Sequence, residues 1–241
     1  IEQGQFARAA PMAVEGLQLF QARGDRHGIA DCLGDLGRLA LLQGDLAQAR
    51  AYLHEVVTVA TTFGYRVMQC RWQPLLGLVT LYSGDTAEAR RLLDESLQLG
   101  AELQNKFVLA RICAYLAETA LWEGELDQAG PWLAQSLAWH PDAHSITIFQ
   151  LERLLIAARL AAAQQQYRRA ASLFGLAELL CSHLGYALVE PLRTQVDAAL
   201  AVAQAALDVD VFADAFAAGQ QLSLADAFAA ILAPDPSRAA L

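Results

Sequence analysis

Four glycines, Gly4, Gly44, Gly84 and Gly124, stand 40 residues apart, and each opens the same short phrase. The phrases run Gly4-Gln5-Phe6-Ala7-Arg8-Ala9, Gly44-Asp45-Leu46-Ala47-Gln48-Ala49, Gly84-Asp85-Thr86-Ala87-Glu88-Ala89 and Gly124-Glu125-Leu126-Asp127-Gln128-Ala129. A degenerate fifth copy is Gln165-Gln166-Tyr167-Arg168-Arg169-Ala170. A fixed period of this size restricts the chain to a stack of units, each hiding its apolar face against its neighbours. Such a chain presents a surface, and no reaction centre is visible in it.

Each phrase reads as a turn between two helices. Glycine enters the left-handed conformation that closes a helix without the steric cost other residues meet. Asp45 or Asp85 then caps the next helix, and Gln48 or Glu88 three residues on completes a capping box, with Glu125 and Gln128 a weaker version. Apolar residues recur at helical spacing before each turn (Leu33, Leu36, Leu39, Leu42; Leu75, Leu76, Val79, Tyr82) and after it (Ala49, Leu53, Val56; Ala89, Leu93, Leu97; Ala129, Leu133, Leu137). Small residues before the turns (Gly37, Gly77, Ala117, Ala158) match small residues after them (Ala49, Ala89, Ala129, Ala170), so the helices of a pair can approach closely.

With the large residue at Leu53, Leu93, Leu133 or Phe174, these positions make residues 1–185 resemble the tetratricopeptide superfamily. The resemblance implies an all-α, right-handed α-solenoid of antiparallel helix pairs, with a partial first repeat and full repeats turning near 44, 84, 124 and 165. The family period is about 34 residues, so six extra residues per unit are expected as a longer first helix, for instance over 66–83 and 106–123. After Gly185 the period fails. Residues 186–233 read as a C-terminal helical cap, with one helix over 190–207, a short one at Phe212 and Phe216, and a last one capped by Ser223 with Asp226. Pro234 and Pro236 mark 234–241 as a tail or linker.

The end of the chain carries a second resemblance. Leu173-Phe174-Gly175-Leu176-Ala177-Glu178, Leu184-Gly185, Ala206-Leu207, Phe212-Ala213-Asp214-Ala215-Phe216-Ala217-Ala218-Gly219 and Leu222-Ser223-Leu224-Ala225-Asp226-Ala227 form an ordered series. It is similar to the closing segment of the repeat region in large bacterial signalling ATPases. These include LuxR-type regulators of the maltose-activator kind, SARP-like activators and some cyclase or kinase fusions. The resemblance implies a cytoplasmic bacterial regulator whose ATPase and DNA-binding parts lie outside this segment, and a start at Ile1 on a repeat phrase suggests a piece of a longer polypeptide.

Composition narrows the function classes. The formal net charge of −9 speaks against direct contact with a nucleic-acid backbone. A mean hydropathy of +0.27 is high, but alanine supplies much of it and no run of 18 apolar residues exists, so no membrane association is expected. No secretory signal opens the chain. Cys32, Cys70, Cys113 and Cys181 lie far apart without a CxxC and read as reduced, buried small hydrophobes. There is no GxxxxGK[ST], HExxH or GxSxG, so no catalysis, no cofactor in this segment and no metal site are expected. His140-Pro141-Asp142-Ala143-His144 reads as a surface turn, and His27, His54 and His183 as partly exposed. Trp132 and Trp139 read as gap fillers between alanine-rich helices, while Trp122 belongs on an inner groove.

That groove is where the register makes its sharpest statement. In the superfamily the first helix of each pair lines a concave surface. Carried over residue by residue, this implies a stripe of Asp31, Asp35 and Arg38, then Arg71, Leu75, Leu78 and Tyr82. Arg111, Tyr115, Glu118 and Trp122 follow, then Glu152, Ile156 and Arg159. Two uses are open: the stripe binds a protein, a peptide or a small-molecule inducer through arginine and aromatic contacts, or its charges pair with one another across helices. Arg71 and Arg111, one period apart, are expected to face the same space and favour an anionic partner. The functional expectation is a sensor region of a transcriptional regulator, with self-association open. The alternatives are a general protein-interaction scaffold and a regulatory segment of a cyclase or kinase fusion.

Overall fold

The computed structural model describes residues 6–139 and 145–232. Among them there are twelve α-helices and no β-strand, so the chain is all-α. They are α1 (Phe6–Arg23), α2 (Arg26–Leu42), α3 (Leu46–Phe63), α4 (Arg66–Tyr82), α5 (Thr86–Glu102), α6 (Lys106–Glu123) and α7 (Leu126–Trp139). The rest are α8 (Ile148–Ala163), α9 (Tyr167–Leu184), α10 (Leu192–Ala205), α11 (Val209–Gly219) and α12 (Leu224–Leu232). The Gly4 phrase, the His140–His144 turn and the 234–241 tail lie wholly or partly outside the described residues.

The helices end on a finer rhythm than the 40-residue period. Positive φ angles fall at Gly24, Gly44, Gly64, Gly84, Gln104 and Gly124, 20 residues apart, and again at Gln165 and Gly185. At Gly44 the Asp45 N–H donates to Ala40 O (2.9 Å) and the Gly44 N–H to Leu41 O (3.0 Å), which satisfies carbonyls the helix end leaves open. The same two bonds recur at each of the other seven positions, from Asp25 N–H to Phe20 O (3.0 Å) through Tyr186 N–H to Cys181 O (3.0 Å). The turns at 24, 64, 104 and 185 were not legible in the 40-residue phrase.

Two sequence expectations change here. Asp45 and Asp85 do cap α3 and α5, accepting from Gln48 N–H (2.9 Å) and Glu88 N–H (3.1 Å). The return half of the capping box has no role, because each aspartate's own N–H already closes the preceding helix, on Ala40 O and Thr80 O. Glu88 instead holds Arg91 (2.6 and 2.7 Å). The extra residues are shared in two pairs, with 17 residues in α2 and α4, 18 in α3 and 17 in α5, whereas in the third pair α6 with 18 residues is longer than α7 with 14.

Small residues set the pair spacing. A methyl added at Gly77 would lie 3.0 Å from Leu93 Cγ and 3.5 Å from the Ala89 carbonyl, and one at Gly37 would meet Leu53 at 2.7 Å. Ala49, Ala89, Ala129 and Ala170 are fully buried at these contacts. One nearly continuous apolar core runs from α2 to α12. Its alternation is simple: from α1 to α11 each helix packs on the next, and α2, α4, α6 and α8 also touch in succession, forming one layer.

The last three helices do not simply extend the stack. α10 packs on α8 and α9, and α11 on α9. The α9–α11 approach is backbone on backbone: a methyl on Gly175 would fall 2.1 Å from Phe216 O, and one on Gly219 1.9 Å from Ser172 O. Ser172 Oγ donates to Ala215 O across this contact (2.9 Å). α12 then folds back over α7 and α8, and Arg169 of α9 donates to its Ala230 O (2.9 Å). No single described helix is long and apolar enough to cross a membrane; α11 and α12 together are, but they meet at 114°.

Candidate functional site

The layer of α2, α4, α6 and α8 brings most of the stripe residues together. Positions one period apart stack as ladders: Asp31, Arg71, Arg111, Glu152; Asp35, Leu75, Tyr115, Ile156; and Arg38, Leu78, Glu118, Arg159. Charges pair between rungs. Arg71 Nη1 donates to Asp31 Oδ1 (3.1 Å), and Arg159 Nη1 donates to both oxygens of Glu118 (2.7 and 2.8 Å). Trp122 Nε1 adds a third bond to Glu118 (2.8 Å). The partners come from neighbouring units, so the ladders tie unit to unit.

Burial divides the stripe in two. Arg71 stands on the rim, its side chain about half exposed (51%), with its guanidinium 4.6 Å from the Trp72 ring, whose Nε1 also reaches Asp31 (3.2 Å). Arg111 is buried, stacked 4.9 Å from Phe149 and 5.5 Å from Phe107. The expected pairing of Arg71 with Arg111 in one space is therefore replaced. Arg111 shares a cavity of about 10 Å³ with Arg38, Tyr115 and Glu152, while Asp31 holds Arg71 outside it. Tyr82, Tyr115, Glu118, Glu152 and Ile156 line a second cavity of about 10 Å³. Each is the size of one water molecule, so at these two places the layer is closed over its own side chains.

The electrostatics follow from that closure. Burial raises the Glu152 carboxyl pKa, against the opposing pull of the Arg111 and Arg38 charges, and its Oε2 is a buried atom without a hydrogen-bond partner. Burial likewise weakens the proton affinity of Arg38, with Arg111 pushing the same way. Tyr82 and Tyr115 are shifted upward, first by burial. Asp35, at the edge, is also raised by burial, with Arg71 opposing. Among the described residues of this layer, Arg111, Arg153, Arg159 and Glu118 are the buried charged side chains, while Asp35, Arg38 and Glu152 are half-buried. Tyr82 packs on Trp122 with ring centroids 5.9 Å apart.

Three features escaped the sequence reading. Arg153 is fully buried, its guanidinium 4.5 Å from the Phe149 ring and 4.8 Å from the Phe228 ring of α12, with Nη1 donating to Ser136 O (3.4 Å). It pins the returning α12, and no local pattern marks it. Gln73 is buried on the opposite side of its pair, donating to Leu92 O (3.3 Å). The third is an open cleft of about 250 Å³ between α8 and α10, lined by Leu121, Leu126, Arg159, Ala162, Ala199 and Val202 among others. Its α10 wall lies in a segment where the 40-residue period has already failed.

Other candidates fall away from this site. His27, His54 and His183 are exposed, and Trp132 and Trp139 are half-buried against the core. The four cysteines are free thiols. Burial pushes the Cys113 thiol up to about 12 and the Cys181 thiol to about 11, which leaves little reactive thiolate. Among the described residues no cluster of three or more His, Cys, Asp or Glu side chains is placed to hold a metal ion. No protein-family model and no curated protein sequence matches the chain.

Proposed function

We propose that the chain is a tetratricopeptide-like, right-handed α-solenoid that serves as the sensing region of a bacterial, cytoplasmic LuxR-type transcriptional regulator. In this reading it takes a protein, peptide or small inducer on its concave face and controls an upstream ATPase and a DNA-binding output. It is a binding module and not an enzyme, uses no cofactor of its own, and contacts neither nucleic acid nor membrane. The observation that carries the reading is the buried charge ladder. Its buried ion pair, Glu118 with Arg159, links one unit to the next, and a static scaffold would be at least as stable with apolar side chains in its place.

The closed inner face gives the mechanism its form. Cavities of about 10 Å³ admit no inducer, so binding there draws on an arrangement in which the units stand further apart. A partner bearing carboxylates can replace Glu118 or Glu152 at Arg111, Arg38 and Arg159 in that arrangement. A ligand shifts the balance only through its better fit to the open form. The rim residues Asp35 and Arg71 and the aromatic pair Tyr82 and Trp122 frame the path inward.

The test is a thermal-shift screen of small organic acids and acidic peptides on the wild-type chain, on Arg111→Ala and on Arg90→Ala. Arg90 lies on α5, outside the layer of α2, α4, α6 and α8, where Glu123 and Glu125 hold it, and it serves as the control. A stabilising compound whose effect survives Arg90→Ala, is lost in Arg111→Ala, and induces a reporter through the full-length regulator supports the reading. Compounds that act equally on both variants, or none that acts at all, remove the inner face from consideration.

A further inference from the structure

The cleft between α8 and α10 goes beyond that reading, since it is open in the closed arrangement and shares a single residue with the ladder. Its walls are apolar: Leu121 and Leu126 from the α6–α7 turn region, Ala162 from α8, and Ala199 and Val202 from α10. Val202 is 51% exposed, so one wall is an unshielded aliphatic surface. At about 250 Å³ the cleft sits just below the roughly 300–1,000 Å³ of drug-sized ligand sites, which sets the scale of an occupant.

One charged group lines it. Arg159 is only 5% exposed, and among the described residues its ion-pair partner is Glu118, reached through Nη1 alone. A guanidinium carries five N–H donors in a fixed fork, so Nη1 accounts for two of them. The Nε and Nη2 edge is not among the buried atoms that lack a partner, and Arg159 borders the open cleft. Gln195 supplies the other polar side chain of the lining. The combination is a short aliphatic trough ending in a two-donor cationic edge, which is the complement of a carboxylate on a short alkyl chain.

We infer that this cleft binds a short-chain aliphatic carboxylate, with its carboxylate on the free edge of Arg159 and its alkyl chain along Leu121, Leu126, Ala199 and Val202. An apolar molecule without the anion leaves the Arg159 edge facing a drier cleft, and a cation meets like charge, so the site discriminates by head group. Because Arg159 also holds Glu118, occupancy is felt at the inner ladder without requiring the ladder to open.

The test titrates the chain with hexanoate, with hexan-1-ol and hexylammonium of matched length as controls. Binding is read by calorimetry and by methyl chemical shifts. Hexanoate is expected to bind at least tenfold more tightly than either control and to move the methyl signals of Leu121, Leu126 and Val202. Arg159→Lys keeps a charge for Glu118 but loses the fork, and is expected to weaken hexanoate tenfold or more. Ala198→Phe, at a surface position on the cleft wall, is expected to abolish binding by filling it. The methyl shifts on the unaltered chain make the test independent of whether either variant folds. Equal binding of hexanoate and hexanol, shifts confined to other methyls, or no saturable binding from butyrate to octanoate would each overturn the proposal. None of these results depends on Arg111, so failure here is separable from failure at the inner face.

Discussion

Replacing Arg159 by methionine should be the most damaging single change on the inner ladder, and more damaging than Glu118→Gln. Glu118 is 2% exposed and has both oxygens committed, to Arg159 Nη1 (2.7 and 2.8 Å) and to Trp122 Nε1 (2.8 Å). Removing Arg159 leaves that carboxylate buried with one neutral donor. Two unit charges about 4 Å apart at an effective dielectric of about 20 attract by about 4 kcal/mol, and breaking one side of a buried pair costs about 3–5 kcal/mol. For a chain of this size, about 2–4 °C of melting temperature accompanies each kcal/mol, so a fall of roughly 6–20 °C is expected. Glu118→Gln keeps an acceptor for Trp122 and for Arg159, and the residual guanidinium borders water in the cleft. Its cost should be about 1–2 kcal/mol.

The double variant Glu118→Gln/Arg159→Met leaves no buried charge, so its cost should fall short of the sum by about 1–3 kcal/mol. Urea denaturation of the four proteins at pH 7 completes the cycle. Costs that add to within about 0.5 kcal/mol, or a Glu118→Gln more harmful than Arg159→Met, would refute the account of how the pair is stabilised.

Other expectations come from the turns, the titration of the cavity and the C-terminal packing. Gln165 holds φ 64° where Gly44, Gly84 and Gly124 hold the equivalent turns, so Gln165→Gly should stabilise by about 1 kcal/mol; an unchanged or lower melting temperature would contradict it. Glu152 has a folded pKa above its unfolded value, chiefly through burial, so the stability its protonated form provides is full below the unfolded value and is lost as pH rises through the folded one. Glu152→Gln should therefore raise the melting temperature at pH 7, with the gain vanishing as pH falls below the ordinary glutamate range. A pH-independent gain would point to packing instead. Gly219→Ala places a methyl 1.9 Å from Ser172 O, where neither backbone can yield, and should cost on the order of 3 kcal/mol. It should also speed proteolysis between α10 and α11, and a cleavage rate like that of Ala217→Gly would show that the contact is dispensable.

The sequence by itself determined the helical hairpins. Turn glycines at 44, 84 and 124, capping aspartates at 45 and 85, and the small residues Gly37, Gly77, Ala49 and Ala89 are signals that act within one unit, over distances shorter than the 40-residue period. It also placed Arg38, Arg111, Tyr115, Glu118, Glu152 and Arg159 in one layer, because a repeat copies each position's orientation. Three things were decided only by tertiary structure. The left-handed turn at Gln104, unlike the one the degenerate phrase marks at Gln165, arises where packing on both sides demands a reversal that local preference resists. The partition of the stripe into a rim pair, Asp31 with Arg71, and a buried set around Arg111 depends on which side chains of neighbouring helices cover each position, as Phe107 and Phe149 cover Arg111. The return of α12 over Arg153, and the cleft that α10 makes with α8, join segments whose periodicity has lapsed. Their partners are chosen by the shape of the surface the repeats leave behind.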